Sequence, residues 1–175
     1  MLLAPDTISI RPLAPDDDVE ALTGMLHRAY AVLGAMGLNY TAVDQTPEVT
    51  RKRLGHGVGL AAVEPGGRIV GTLVYNPPAG PDSPKWLTPW LRRPDVAHFG
   101  QFAVEPALQK HGIGGRLMDA VEDMARAAGA RELALDTAEP ALHLIASYER
   151  RGYRFIEYAQ WEGKRYRSVI MSKTL

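Results

Sequence analysis

The chain has 175 residues, enough for one domain with a sizeable core, and its formal charges cancel to +0. Neutral balance argues against a general nucleic-acid binder, which would need a basic face, and the lack of any cysteine removes disulfides, thiolate metal sites and a cysteine nucleophile. No apolar run reaches membrane-span length, and Met1-Leu2-Leu3-Ala4-Pro5-Asp6 lacks the basic and long apolar parts of a signal peptide. A single cytoplasmic domain over residues 1–175 is the expectation, with no nucleic-acid or membrane partner.

Thr7 to Leu13 alternates and meets Pro12, which reads as a strand. Asp16, Asp17 and Asp18 then complement the dipole at a helix start, and Val19, Leu22, Met25, Leu26, Ala29 and Leu33 form its buried stripe. Gly34 and Gly37 break that pattern. A polar loop runs from Leu38 to Gln45, and Thr46-Pro47-Glu48 opens a second short helix with Thr46 as N-cap.

Gly57 to Glu64 and Arg68 to Tyr75 read as a hairpin around Pro65-Gly66-Gly67, with Gly71 marking a bulge or a close contact. Asn76 to Asp95 is a long proline-rich connection. Trp86, Leu87, Trp90 and Leu91 argue against disorder there, because they need burial. They fit a lid over a site, a subunit contact that leaves a homodimer open, or packing on the sheet.

The next stretch organises the rest. An apolar strand from Ala97 to Val104 leads through Glu105-Pro106 into Gln109-Lys110-His111-Gly112-Ile113-Gly114-Gly115-Arg116 and an amphipathic helix. Gly112, Gly114 and Gly115 leave room for a ligand, and the first N–H groups of a helix have no internal partner. With the helix dipole they suit a pyrophosphate, unless the glycines only form a tight turn. A P-loop would need a Gly-Lys-Ser/Thr, which is missing. A dinucleotide fingerprint would need glycines directly after the strand. Ile113, Leu117, Met118, Val121, Met124 and Ala125 mark the buried stripe, with Asp119, Glu122, Asp123 and Arg126 mostly on the wet side. Gly129 ends this helix. Arg131 to Thr137 reads as a strand, and Pro140 opens a helix with Leu142, Ile145 and Tyr148, stopped by Gly152. Tyr153 to Trp161 and Tyr166 to Lys173 form a final antiparallel pair.

Two segments carry a resemblance. Val104-x-Pro106 followed by Gln109-x-x-Gly112-x-Gly114 resembles the acyl-CoA signature of the GNAT superfamily of N-acetyltransferases. Tyr148-Glu149-Arg150-Arg151-Gly152-Tyr153 is similar to that family's Tyr-Glu-x-x-Gly-Tyr/Phe block. The resemblance covers about Thr7 to Leu175. It implies an α/β (α+β) fold, with a mixed, mostly antiparallel sheet flanked by helices and splayed central strands. It also implies acetyl-CoA as co-substrate, no metal, and a small-molecule or peptide amine as acceptor.

Carried over residue by residue, Phe102, Ala103 and Val104 are expected to pair with the pantetheine arm. Gln109, Lys110, His111, Gly112, Ile113, Gly114, Gly115 and Arg116 are expected around the pyrophosphate. Tyr148 is implied as the general acid, since a phenol near pKa 10 holds its proton at neutral pH. Some family members place a carboxylate six residues before the final valine-type position of the central strand. His98 stands there, and imidazole titrates in the right range for a base. By simple alternation His98 shares a strand face with Phe102 and Val104, and Gln101 points the other way. The family's asparagine seven residues before the tyrosine is Ala141 here, with His143 the nearby side chain able to replace it. The helix–loop–helix is implied to line the acceptor side, making Asn39, Tyr40, Asp44 and Gln45 candidate substrate contacts. The five histidines show no ligand-like spacing with carboxylates. An alternative from another class is a non-catalytic acyl-CoA-binding module on the same fold. A generic nucleotide-binding domain is a third.

Overall fold

Seven strands form one sheet in the computed structural model, which describes residues 7–175; the reading of Met1–Asp6 lies outside the described residues. They are β1 (Ser9–Pro12), β2 (Val58–Val63), β3 (Ile69–Asn76), β4 (Val96–Val104), β5 (Glu132–Ala138), β6 (Arg154–Ala159) and β7 (Ser168–Thr174). Their order is β1-β2-β3-β4-β5-β7-β6, and every neighbouring pair is antiparallel except β4 and β5. The helices are α1 (Val19–Ala35), α2 (Pro47–Leu54), α3 (Ile113–Ala127) and α4 (Leu142–Arg150). This is the mixed, mostly antiparallel α/β architecture expected from the sequence.

Local chemistry sets the helix starts. The Asp18 carboxylate accepts the Ala21 N–H at 2.9 Å, and Thr46 Oγ1 accepts from Val49 ahead of Pro47. Packing then fixes the layers. Leu22, Met25 and Leu26 of α1 cluster with Ala103, Leu13 and Leu54 on one face of the sheet. Ile113, Leu117, Met118, Val121 and Ala125 of α3 pack with Ala97, Phe99 and Val104 on the other, where Ile145 and Tyr148 of α4 join them. Each large apolar side chain buried in this way stabilises the fold by roughly 1.5–3 kcal/mol.

Three sequence expectations change. Helix α1 runs through Gly34 and ends just before Gly37. Leu142 does not join the stripe of α4: it is 71% exposed in the first turn. Glu122 is not on the wet side of α3. It is 4% exposed, accepting hydrogen bonds from Arg151 Nε at 2.9 Å and Lys173 Nζ at 2.8 Å. Burial works against the Glu122 carboxylate, but these bonds outweigh it and hold its pKa below the ordinary value.

The long connection between β3 and β4 packs on the sheet face opposite α3. Leu87 and Leu91 are buried against Val96, Ala134 and Ile170, whereas Trp86 is exposed and meets Trp161 edge-on at 5.9 Å. Among the described residues no helix is long and apolar enough to cross a membrane, and no cluster of three or more His, Asp or Glu could hold a metal ion.

Candidate active site

The sheet opens in its middle. β5 pairs with β4 only from Val96 to His98, opposite Glu132 to Ala134. Beyond that point β5 stays with β7 along its whole length, and β4 stays with β3 as far as Val104. The two central strands therefore part. Two tyrosines brace the opening. The Tyr30 hydroxyl donates to the Phe102 carbonyl on β4 at 3.0 Å, while the Tyr40 hydroxyl accepts the Ala138 N–H on β5 at 2.8 Å. Their rings meet edge-on at 5.5 Å.

A bulge in β4 changes which side chains face which layer. The β3–β4 register shifts between Thr72 and Val74, and Gln101 has φ 52. Simple alternation therefore fails at this point. Ala97, Phe99, Phe102 and Val104 face α3, whereas Val96, His98 and Ala103 face the α1 side. The expectation that His98 shares a face with Phe102 and Val104 is overturned, because the extra residue reverses the parity. Gln101 lies on the α1 side with His98, where its Oε1 accepts from Gln45 Nε2 at 3.0 Å.

Two cavities meet at this opening. The first, about 550 Å³, is lined by Phe102, Ala103, Val104, Gln109, Lys110, Gly114, His143 and Tyr148. The second, about 580 Å³, lies on the α1 side between His98, Arg53, Trp86, Trp161 and Lys164. Tyr30, Tyr40, Gly100, Gln101 and Asp136 line both. A groove of about 830 Å³ continues from the second cavity under Pro77–Pro84.

At the mouth of the first cavity the chain turns into α3. Gly112 is its N-cap with φ 81, a left-handed conformation that favours glycine. Gly114 lets the Phe102 ring approach, since a Cβ there would sit 3.3 Å from Phe102 Cζ. The side chain of Ile113 is core, so only its backbone faces the turn. Gly115 and Arg116 follow in the first turn of α3. Gln109 Nε2 closes the strand end by donating to the Val104 carbonyl at 3.2 Å. Lys110 is exposed, and the exposed His111 ring is held at the Gln109 carbonyl, 2.8 Å away, outside the cavity.

Tyr148 lies in the first cavity, its ring 6.0 Å from Tyr153, and burial pushes its hydroxyl well above the ordinary phenol value. His98 lines the second cavity with its Nδ1 buried and unpartnered. Burial pulls the His98 pKa down, partly opposed by the Asp136 charge, which keeps the ring neutral at physiological pH.

Among the other candidates, Tyr40 lines both cavities, but its hydroxyl is engaged with the end of β5. Asn39 and Asp44 line neither. Asn39 clamps the β6–β7 connection, donating to the Gly163 carbonyl at 2.8 Å and accepting the Arg165 N–H at 3.0 Å. Asp44 is exposed in a shallow groove beside Arg165. Gln45 is buried and supports Gln101 from behind.

Sequence reasoning missed Asp136, Arg53, Lys164 and Tyr30. Asp136 left a signal: it is a carboxylate midway along the mostly apolar β5, and it accepts from Trp161 Nε1 at 2.9 Å and Ser168 Oγ at 3.2 Å. Arg53 and Lys164 left none, since both read as ordinary surface cations.

Comparison with known proteins agrees with this architecture. Residues 30–153 match the model of the "Acetyltransferase (GNAT) family". The S-(2-succino)cysteine N-acetyltransferase of Bacillus subtilis (strain 168) is 28% identical over 169 residues, covering 93% of this chain and 94% of that protein. A GCN5-related N-acetyltransferase from Kribbella flavida superposes with TM-score 0.71 at 20% identity, covering 98% of this chain and 99% of the other. A GNAT family acetyltransferase from Elizabethkingia anophelis, solved with acetyl-CoA bound, gives 0.66 at 18% identity and covers 97% and 99%. An opened pair of central strands, a glycine turn into a helix, and a match spanning most of the chain lead to one assignment: the chain belongs to the GNAT acetyltransferase family.

Proposed function

We propose that the chain is an acetyl-CoA-dependent N-acetyltransferase that acts on a primary amine of a small molecule or peptide, by direct attack within a ternary complex. One observation carries this reading. The end of β4 that β5 leaves lies between two cavities that meet at Gly100 and Gln101. One opens toward the glycine turn, the other toward charged side chains.

The residues present fit acetyl-CoA. Phe102 to Val104 border the gap left by β5 and can pair with an amide-bearing arm. The N–H groups of Ile113, Gly114 and Gly115 begin a helix and suit a pyrophosphate, with Lys110 and Arg116 as nearby cations. His143 stands at the cavity wall on α4. When bound, acetyl-CoA supplies a thioester carbonyl for the amine to attack.

The chain's own groups then handle protons. His98, neutral through burial, receives the proton the amine loses as the N–C bond forms. Asp136, where the cavities join, orients the incoming ammonium, which gives one proton to solvent before it attacks as the neutral amine. Tyr148 stays protonated and hydrogen-bonds the sulfur as the C–S bond breaks, passing its proton to the leaving thiolate.

Thiol release from acetyl-CoA, followed against a panel of amines for wild type and Tyr148→Phe, tests the reading. A kcat loss of about 10²–10⁴, with acetyl-CoA affinity retained, is the expected outcome. A mutant as active as wild type removes Tyr148 from the mechanism. Tight acetyl-CoA binding with no turnover on any amine favours a non-catalytic binding module.

A further inference from the structure

The second cavity holds two cations that form no ion pair with any described residue, although the Asp136 charge acts on both. Arg53, from the last turn of α2, donates to Gln45 Oε1 at 2.8 Å and makes no ion pair with any described residue. A guanidinium carries five N–H donors, so most of its capacity is uncommitted. Lys164, from the β6–β7 connection, donates to the Asn39 carbonyl at 2.8 Å and Thr41 Oγ1 at 2.9 Å, leaving one of its three donors. Both line the same cavity wall.

Two like charges drawn out of water toward one space are unfavourable unless an anion joins them. Burial pulls both below their ordinary pKa values and the Arg53 charge lowers Lys164 further, against the opposing pull of Asp136 on both and of Asp44 on Lys164. Elsewhere the half-buried Arg151 is paired directly, with Glu122. The cavity does contain two acids, Asp136 and Glu162, yet neither forms an ion pair with Arg53 or Lys164. Asp136 accepts from Trp161 and Ser168 instead.

The charges are also ordered along the cavity. Asp136 lines both cavities, so it lies toward the acetyl end, whereas Arg53 and Lys164 line the second cavity and not the first. A molecule with an ammonium at one end and an anion at the other matches this polarity. Two cations and two acids lining one cavity suit a zwitterion. We propose that the acceptor is an amine bearing a carboxylate, and that Arg53 and Lys164 hold that carboxylate while the amine points to the opening of β4. The assignment deepens the acetyltransferase reading and rests on it for the word acceptor, but carboxylate binding is measurable without turnover.

The binding experiment uses the full chain and succinate, with its diamide and inorganic phosphate as controls. Trp86 and Trp161 line the cavity, so their indole N–H signals in nuclear magnetic resonance spectra report occupancy. Succinate is expected to shift them saturably and the diamide not to. Arg53→Gln and Lys164→Gln should each weaken succinate at least tenfold, with acetyl-CoA affinity serving as the folding control. If Arg53→Gln fails to fold, Lys164→Gln decides the point. In turnover, α-amino acids are expected to exceed their carboxamides in kcat/KM at least tenfold, and both substitutions should shrink that ratio.

Equal shifts by succinate and its diamide, or unchanged succinate affinity in the variants, overturn the proposal. So does phosphate binding tenfold tighter than succinate, which would reassign the cations to a phosphorylated ligand. Turnover without carboxylate preference, together with no succinate binding, leaves the acetyltransferase standing and removes this assignment. Succinate binding that depends on Arg53 and Lys164, with no turnover on any amine, does the reverse.

Discussion

The two halves of β4 sit in one strand but in different surroundings. Val96 to His98 pairs with β5, and at His98 β3 joins on the other side. Phe99 to Val104 keeps β3 and loses β5, because β5 follows β7 while β4 follows β3 around the bulge at Gln101. The first half is ordinary sheet interior. The second borders a gap, where the Phe102 carbonyl accepts from Tyr30 and the Val104 carbonyl from Gln109; backbone N–H groups there that lack such a partner cost about 1–3 kcal/mol each when buried. A ligand that pairs with them recovers that cost. The same strand thus joins a fixed core to a binding edge, and the Tyr30–Tyr40 brace holds the edge open.

Closing the gap from within should have the largest effect. Gly100 lines both cavities, and a Cβ there would meet nothing within 4 Å. Gly100→Leu is therefore expected to fold normally and to lose roughly a hundredfold or more in kcat/KM for any amine, since a small misplacement of the reacting groups costs about that much. Unchanged kinetics would mean that the two cavities do not meet at the reacting centre.

His98 gives the next effect. His98→Ala should lower kcat by about 10²-fold, the low end for a general base. Because burial lowers its pKa, the neutral base persists below the ordinary histidine range, and kcat should fall only as pH drops through that lowered value. A pH–rate profile whose acid limb survives in His98→Ala would assign the base elsewhere, with Asp136 next in line.

Gly112→Ala perturbs only the donor side. A residue with a side chain at φ 81 costs about 1–3 kcal/mol of backbone strain. KM for acetyl-CoA is expected to rise about tenfold, with little change in KM for the amine. Equal changes in both would show that the two sides are not separable.

Away from the opening, Glu122→Gln should leave kinetics unchanged while lowering stability by about 2–4 kcal/mol, because Arg151 and Lys173 lose their buried partner. The Glu122 pKa is held below the ordinary carboxylate value. Its contribution is therefore complete above that ordinary value and is lost as pH falls through the lower folded one. The difference between wild type and variant in denaturant melts should shrink over that acidic range.

The donor side was legible in the sequence because it is built from contiguous chain. Val104 to Gly114 carries strand end, turn and helix start in one run, and Tyr148 sits in its own block. The bulge was not legible. Gln101 adopts a left-handed conformation without being glycine, so nothing local warned that alternation would fail there. The acceptor wall was opaque for a different reason. Arg53 and Lys164 come from a helix and a strand connection distant in sequence, and only the fold brings them to one cavity. Glu122 was misread because its partners, Arg151 and Lys173, come from outside α3. Asn39 and Asp44 had polar side chains in the right loop, but tertiary hydrogen bonds turn the first toward Gly163 and Arg165 and leave the second on the surface.

Hydrogen–deuterium exchange of the full chain, with and without acetyl-CoA, tests the difference between the two halves of β4 most directly. Amides in Phe99–Val104 and in the first turn of α3 should slow when acetyl-CoA is added, while those of Val96–His98, where β5 is already paired, should not change. Protection confined to Val96–His98, or no protection in Phe99–Val104 at saturating acetyl-CoA, would contradict the account.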